Sequence, residues 1–419
     1  MNNWLTRHSE STAKEILDFM PSLVIEGARQ VGKSTLAQQL AATTDALMVN
    51  LDDEPTRTAA EEDPPGFVAQ GQGRLMVIDE IQHLPSLTLA VKSAIDRDRH
   101  PGRFILTGSS SLLRVRGLAD SLAGRVGRLV LYGFSQGELA GRADDFATAM
   151  TQADQSQIPR TTTAWTRADY TQILAAGAYP ATVGLTDRQR QRWLDDYLQG
   201  LVRRDLPELR RIVNPDRTFT LLRLLAANQA GETVKARLAQ EADIPASTIS
   251  SYLDLLSDVW LFATLPPWTP NLSHRETSRP KGLIIDSALA MRLSRLASGH
   301  LATIAYSQAF GALLEGFVAA ELMRQRAWTA TDFDLYHYRD RTGAEVDLIM
   351  ELSGGQVIAI EVKAATSYQS AQFKTLKVLR DKLGERLLTG IVLTCAPTGY
   401  RFGERLYGLP ISALWELAG

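Results

Sequence analysis

The sequence predicts an α/β protein in four parts. These are a parallel-sheet domain over residues 1–140, a linker and helical segment over 141–212, a helix-turn-helix region over 213–275 and a second α/β domain over 276–419. Three observations predict this. Short apolar runs alternate with helical patterns up to about residue 135. The patterning then becomes helical from 166 to about 265. Mixed patterning returns after the stretch PPWTPNLSHRETSRPKG at 266–282, and it includes paired strands with charges near their ends.

In the first part, residues 1–20 have the spacing of one amphipathic helix, and SLVIE at 22–26 reads as a short buried strand. Apolar runs follow at 46–51, 74–80, 103–108 and 128–134, with helical patterns filling most gaps. Strands alternating with helices give a mostly parallel sheet covered on both faces.

The chain has 419 residues, 45% hydrophobic and 22% charged, which is ordinary for a globular chain of several domains. A net charge of −2 gives no overall pull toward nucleic acid, so any such site must be a local basic patch. The single cysteine, Cys395, excludes an internal disulfide and a cysteine-based zinc site. It suits a reducing cytoplasm. No run approaches the ~18 apolar residues of a membrane span, and the opening MNNWLTRHSESTAKE lacks the apolar core of a signal peptide.

The strongest local signal is GARQVGKS: Gly27, Ala28, Arg29, Gln30, Val31, Gly32, Lys33 and Ser34. It fits G-x-x-x-x-G-K-[ST], with a strand before it and a helix opening at Thr35 after it. Glycines let the backbone amides turn inward around phosphate oxygens, and the helix N-terminus adds partial positive charge. Lys33 is expected to reach the β- and γ-phosphates of ATP, and the Ser34 hydroxyl to ligate Mg²⁺. The alternative, a chance glycine-rich turn, does not explain the flanking strand and helix.

LMVIDE supplies the partner: an apolar strand ending in Asp79, expected to hold Mg²⁺, and Glu80, expected to polarise the attacking water. At the tip of the strand in FILTGSSS, Thr107 or Ser109 is placed to sense the γ-phosphate, although hydroxyls at strand ends also cap helices. Arg125 and Arg128 follow in SLAGRVGR. An arginine supplied by a neighbouring subunit stabilises transition-state charge, with Arg125 favoured here; the plainer reading is two surface arginines.

Residues 231–268 pattern as helix, tight turn at DIPAS, helix, then a strand-like WLFATL, as in a winged helix. Ser247, Thr248, Ser250 and Ser251 would open the recognition helix; with no Arg or Lys among them, strong base reading is not expected. Upstream, Arg203, Arg204, Arg210 and Arg211 alternate with Asp205 and Glu208, which suits a self-paired solvated face as well as a phosphate-facing one.

Near the C-terminal end, EVDLIME and QVIAIEVKA flank SGG at 353–355 and predict a hairpin. Alternation puts Glu361 and Lys363 on one face, with Val362 inward and Asp347 opposite. Asp347 and Glu361, completed by Glu315 from the helix at 310–322, form a candidate metal site in which Lys363 orients or deprotonates a bound water. Glu321 falls on another face of that helix. Helix-Glu, strand-Asp and strand-E-x-K follow the PD-(D/E)xK nuclease pattern, which predicts a restriction-endonuclease-like fold. The same fold with an inert charge cluster is the plainer alternative.

Residues 22–135 resemble an AAA-type ATPase family through GARQVGKS, LDD at 51–53, IDEIQ at 78–82, TGSSS at 107–111 and SLAGR at 121–125. YLQGLVRRDL, IIDSALA and GAEVDLIM…AIEVK resemble landmarks of the domain of unassigned function that follows the ATPase in that family. The resemblance implies Mg-ATP hydrolysis, homo-oligomers and a nuclease-like C-terminal domain. Ser34 stands where Thr is usual; both supply a hydroxyl. Together these features lead to the expectation of a Mg-dependent ATPase acting on duplex or branched DNA or on broken ends, without strong sequence reading, in which the C-terminal nuclease-like domain can be active. The alternative is an ATP-driven assembly switch that recruits proteins and carries an inactive nuclease fold.

Overall fold

The structure is a computed structural model and describes residues 5–109, 124–152, 158–210, 214–269, 279–340 and 342–417. The chain divides into two compact units. The first is Met1–Phe134 with the short segments Tyr179–Ala181 and Asp258–Trp260; the second is the remainder.

The first unit is built on a five-stranded, wholly parallel sheet. Its strands are β1 (Ser22–Glu26), β2 (Ala46–Asn50), β3 (Leu75–Asp79), β4 (Phe104–Gly108) and β5 (Val126–Val130), in spatial order β2-β3-β4-β1-β5. The interior strands β1 and β4 are buried at every residue, so they read as continuous apolar runs. The edge strands β2 and β5 are only partly covered. Helix α1 (Ser9–Phe19) is shorter than the 1–20 pattern suggested. Helix α2 (Lys33–Ala41) follows the glycine-rich loop. One core cluster joins Val24, Ile78, Leu106 and Phe104 of the sheet to Val91 and Ile95 of the helix Leu87–Arg97. Asp53, the last residue of LDD, caps the helix Glu54–Glu62 by accepting the Thr56 amide at 3.1 Å.

The second unit opens with helical segments. Part of 141–165 forms the helix Phe146–Gln152, which buries Phe146, Ala147 and Met150; residues 153–157 lie outside the described set. A π-helical turn, Leu201–Asp205, interrupts the long helical run that starts at Asp187. Strands β6 (Gly231–Glu232), β7 (Phe262–Leu265) and β8 (Lys281–Ile284) form an antiparallel sheet in order β6-β8-β7. Helices Lys235–Glu241 and Ile249–Asp258 lie between β6 and β7 in sequence.

A six-stranded mixed sheet completes this unit. Its strands are β9 (Phe333–Arg339), β10 (Glu345–Leu352), β11 (Val357–Lys363), β12 (Leu387–Thr394), β13 (Tyr400–Gly403) and β14 (Leu406–Pro410), ordered β13-β14-β12-β11-β10-β9. β10 and β11 pair antiparallel across the SGG turn, as the sequence predicts. Val346, Ile349, Val357 and Ala359 pack into one core with Leu376 and Leu379 of the helix Lys374–Leu383.

Candidate nucleotide site and C-terminal charge cluster

In the first unit, β1 runs directly into the phosphate loop. A Cβ on Gly27 would lie 2.0 Å from the Leu131 carbonyl oxygen, so no larger residue fits there. Gln30 (φ +64°) and Gly32 (φ +98°) take the left-handed conformation that curls the loop back toward the helix. Ala28 and Val31 are buried, Gln30 is exposed, and Arg29 and Thr35 are half-buried. The amides of the first turn of α2 have no acceptor within the helix and form an anion-binding end.

Lys33 is buried, and its ammonium donates to the carbonyls of Gly27 (3.2 Å) and Ala28 (2.9 Å). Burial pushes it down to about 8, against the opposing pull of Glu80 and Asp79 and with a smaller downward push from Arg29. The Ser34 hydroxyl donates to Asp79 Oδ1 at 3.0 Å. The Thr107 hydroxyl donates to the same oxygen and accepts the Glu80 amide at 3.1 Å. Gln82 Nε2 donates to Glu80 Oε2 and, at 3.0 Å, to Ser109 Oγ. Glu80 itself sits at φ +56°, a left-handed conformation held by these contacts. Ser34, Asp79, Glu80, Thr107 and Ser109, scattered in sequence, are therefore linked in one hydrogen-bonded network through Gln82, and the charges of Glu80 and Asp79 act on Lys33. A hydroxyl and a carboxylate at this separation suit Mg²⁺, which takes few protein ligands beside phosphate and water.

Two residues of this site escaped the sequence reading. Arg7 is buried and donates to the carbonyls of Val31 (3.0 Å) and Tyr132 (2.7 Å), with its guanidinium 4.7 Å over the Phe134 ring. It fixes the loop from below, and nothing in the polar stretch around it marks it. Gln82 is visible within IDEIQ, but its contact with Glu80 depends on the turn after β3.

Arg125 forms a two-pronged ion pair with Asp96 of its own chain, at 2.6 and 3.0 Å. That hydrogen bond holds the Asp96 carboxyl below its usual range. Arg128 pairs with the buried Glu26 and lies 5.8 Å over the Trp260 ring. Residues 121–123 of SLAGR and 110–111 of TGSSS lie outside the described residues.

The second unit brings Glu315, Asp347, Glu361 and Lys363 together, and adds two residues that were not foreseen. Glu315 comes from the helix Ser307–Gln325. Pairing between β10 and β9 shifts between Val346 and Ile349, an irregularity that brackets Asp347. Asp347 Oδ2 accepts the Val362 amide at 2.8 Å. Lys363 reaches Glu361 at 2.6 Å and Asp347 at 3.4 Å. Lys281 of β8 lies 2.6 Å from Glu315, 2.6 Å from Glu345 and 3.7 Å from Asp347.

Burial, followed by the Asp347 charge, pushes Glu315 and Glu361 each up to about 8. Burial alone would lower both lysines. For Lys281 the charges of Glu315 and Asp347 outweigh it, and for Lys363 those of Asp347 and Glu361, so both ammoniums are held above their ordinary value. Among the described residues, no group of three or more His, Cys, Asp or Glu side chains is arranged to hold a metal ion. In this arrangement Lys281 stands between Glu315 and Asp347 as their cation, so the three carboxylates do not fit a divalent ion as they stand. A lone lysine in the apolar run KGLII gave no sign of this role. Glu321 is buried elsewhere on its helix, paired with Arg324 at 2.7 Å.

In the middle segment, Arg203 pairs with Asp216 (3.1 Å), Arg204 with Asp205 (2.9 Å), and Arg210 donates to the Ser251 carbonyl (3.3 Å). Lys235 donates to Ser250 Oγ at 3.0 Å. Arg211 lies outside the described residues.

Family models match three stretches of the chain. One described as an AAA domain matches residues 20–140. Two domains of unknown function, DUF8612 and DUF4143, match residues 167–299 and 310–414. The uncharacterized proteins Rv2008c of Mycobacterium tuberculosis and Mb2031c of Mycobacterium bovis are each 28% identical over 349 residues, covering 83% of this chain and 71% of theirs. The Walker-type ATPase paby2304 of Pyrococcus abyssi has TM-score 0.43 at 16% identity, covering 70% of this chain and 96% of that one. No helix among the described residues is long and apolar enough to cross a membrane. With the phosphate loop, the Ser34–Asp79 pair and the parallel sheet all inside the matched stretch, residues 20–140 match the AAA-domain model and have a P-loop ATPase-like fold of the AAA type.

Proposed function

We propose that the protein binds Mg-ATP and hydrolyses it. The observation that carries this reading is the Ser34–Asp79 hydrogen bond beside a buried Lys33 whose ammonium donates to the backbone carbonyls of Gly27 and Ala28. In the nucleotide complex, Lys33 exchanges those carbonyls for β- and γ-phosphate oxygens, and the loop amides take the remaining oxygens. Ser34 and Asp79 would hold Mg²⁺, which neutralises charge building on the phosphates. Glu80, steadied by Gln82, orients the attacking water and accepts its proton. Thr107 on β4 and Ser109 just past its end complete the wall facing the terminal phosphate. Arg125 can serve a neighbouring subunit in a homo-oligomer only after releasing Asp96.

We further propose that this ATPase works on DNA. The order helix, strand, two helices and an antiparallel strand pair in residues 215–284 supports a winged helix. The pairing of Arg203 and Arg204 with acids predicts weak, sequence-independent contact. A nuclease-like C-terminal domain is supported by the way Glu315, Asp347, Glu361 and Lys363 converge. One observation favours the second reading, an assembly switch with an inactive nuclease fold: Lys281 fills the place between Glu315 and Asp347.

The test is ATP hydrolysis at low salt, with and without forked and four-way DNA, using Lys33→Ala as the blank. Turnover that survives Lys33→Ala removes the phosphate-loop assignment. Stimulation by DNA that fades as salt rises supports the DNA reading. Turnover indifferent to every DNA leaves the switch.

A further inference from the structure

The second unit holds a cleft of about 430 Å³ that none of the sites above uses. It lies between the helices Asp187–Gly200 and Pro215–Ala227 and the turn that ends the helix Ser287–Leu293. Its volume is within the usual range for small-molecule sites, roughly 300–1,000 Å³. Leucines and the buried Phe219 form its apolar part. Three arginines line it, Arg223, Arg292 and Arg295, against one carboxylate, Asp195.

The carboxylate is already satisfied. Arg292 grips it with both prongs, at 2.6 and 2.5 Å. Arg223 and Arg295 are exposed, and neither makes an ion pair with the described residues. The cleft therefore keeps a surplus of positive charge in a chain whose net charge is −2.

Arg295 is the unusual member. The helix Ser287–Leu293 closes with the Leu296 amide on the Met291 carbonyl (2.9 Å) and the Arg295 amide on the Arg292 carbonyl (3.2 Å). This double bond pattern requires a left-handed residue, ordinarily glycine, after the helix cap. Here Arg295 takes it, at φ +54°. Glycine would end the helix with less strain, whereas arginine adds a guanidinium to the rim of the cleft.

We propose that this cleft binds a phosphate monoester attached to a flat ring: a nucleoside 5′-monophosphate, free or as the 5′-phosphorylated end of a strand. Guanidinium forks match phosphate oxygens in pairs, and the Phe219–leucine floor takes the uncharged remainder. Inorganic phosphate would leave that floor unused.

The test uses the full chain with its phosphate loop filled by Mg-ADP. Calorimetric titrations are made with AMP, GMP and a short oligothymidylate with and without its 5′-phosphate. Binding by a monophosphate assigns the free nucleotide; binding by the phosphorylated oligonucleotide alone assigns the strand end. In either case Arg223→Ala and Arg295→Gly are each expected to weaken binding about tenfold or more. Arg295→Gly should also melt at the same or a higher temperature than the parent, because the strain is relieved while the ligand is lost. The proposal is overturned if none of these ligands binds at millimolar concentration, or if affinity survives both substitutions. Mg-ADP is titrated first and its binding recorded before the monophosphates are added, so a failure of the phosphate loop is distinguishable from a failure of the cleft.

Discussion

The Ser34 hydroxyl donates to Asp79 Oδ1 at 3.0 Å, joining the first turn of α2 to the tip of β3. The two atoms that would share Mg²⁺ are thus in register before any nucleotide arrives. Asp79→Asn keeps a hydrogen-bonding partner for Ser34 but removes the charge a divalent cation needs. We expect it to lower the ATP turnover rate by about a hundredfold or more, with little change in melting temperature, because the geometry is kept and a transition-state interaction is lost. Steady-state hydrolysis beside a melting curve checks this. Turnover near the parent rate would place the magnesium ligand elsewhere.

Lys33 gives a pH signature. Burial sets its ammonium at about 8, below the ordinary 10.5. A lysine lowered by folding costs stability while the pH is below its folded value. That cost is relieved as the pH climbs from about 8 toward 10.5. Phosphate oxygens restore the proton, so Mg-ADP binding should take up protons increasingly between pH 7.5 and 9, while its affinity falls. Calorimetry in buffers of different ionisation heat reads the uptake directly. Binding heats independent of buffer at pH 8.5 would show that Lys33 is not the group meeting the phosphates.

How much of this was legible depends on how local each feature is. The phosphate loop is eight consecutive residues whose chemistry follows from their order. The Asp79 and Glu80 pair was readable because a buried parallel strand is a continuous apolar run, so its charged end is conspicuous. The β10–β11 hairpin was readable from alternation around SGG. Lys281 was not, because its meeting with Glu315, Glu345 and Asp347 is made by tertiary packing of three distant segments. Arg7 was hidden for the same reason. The pairing of Arg125 with Asp96 likewise needs the spatial approach of residues far apart in sequence, which no local motif records.

Lys281 also makes the metal question testable without measuring cleavage. Its buried ammonium balances Glu315, Glu345 and Asp347. Lys281→Met removes the charge at similar volume and leaves buried carboxylates uncompensated. Breaking a buried pair in this way costs about 3–5 kcal/mol. Mg²⁺ or Mn²⁺ should restore part of that loss in the variant and leave the parent's melting temperature unchanged. A parent chain stabilised by millimolar Mn²⁺ through the second unit would mean that Lys281 yields to metal, and the nuclease reading would regain ground.

The second unit should weaken as the pH rises from acid to mildly alkaline, the reverse of the usual acid lability. Glu321 is fully buried, and burial, against the charge of Arg324, lifts it from the ordinary 4.5 to about 7. Burial likewise raises Asp286, and it lifts Glu315 and Glu361 to about 8. An acid raised by folding binds its proton more tightly in the native state. Its contribution is complete below the unfolded value and is lost as the pH climbs through the folded one. For Glu321 the loss falls between about 4.5 and 7, and is on the order of 3 kcal/mol. Lys281 and Lys363, both raised, remain charged in both states throughout this window and add no slope. Glu321→Gln mimics the protonated acid and still accepts the Gln136 amide, which Glu321 receives at 3.0 Å. The variant should match the parent near pH 5, exceed it near pH 7.5, and keep the residual slope from Glu315, Glu361 and Asp286, offset in part by His337, whose imidazole is pushed down by burial. Thermal melting of both proteins from pH 5 to 8.5 decides it. Parallel curves would show that Glu321 stays ionised beside Arg324 across the range.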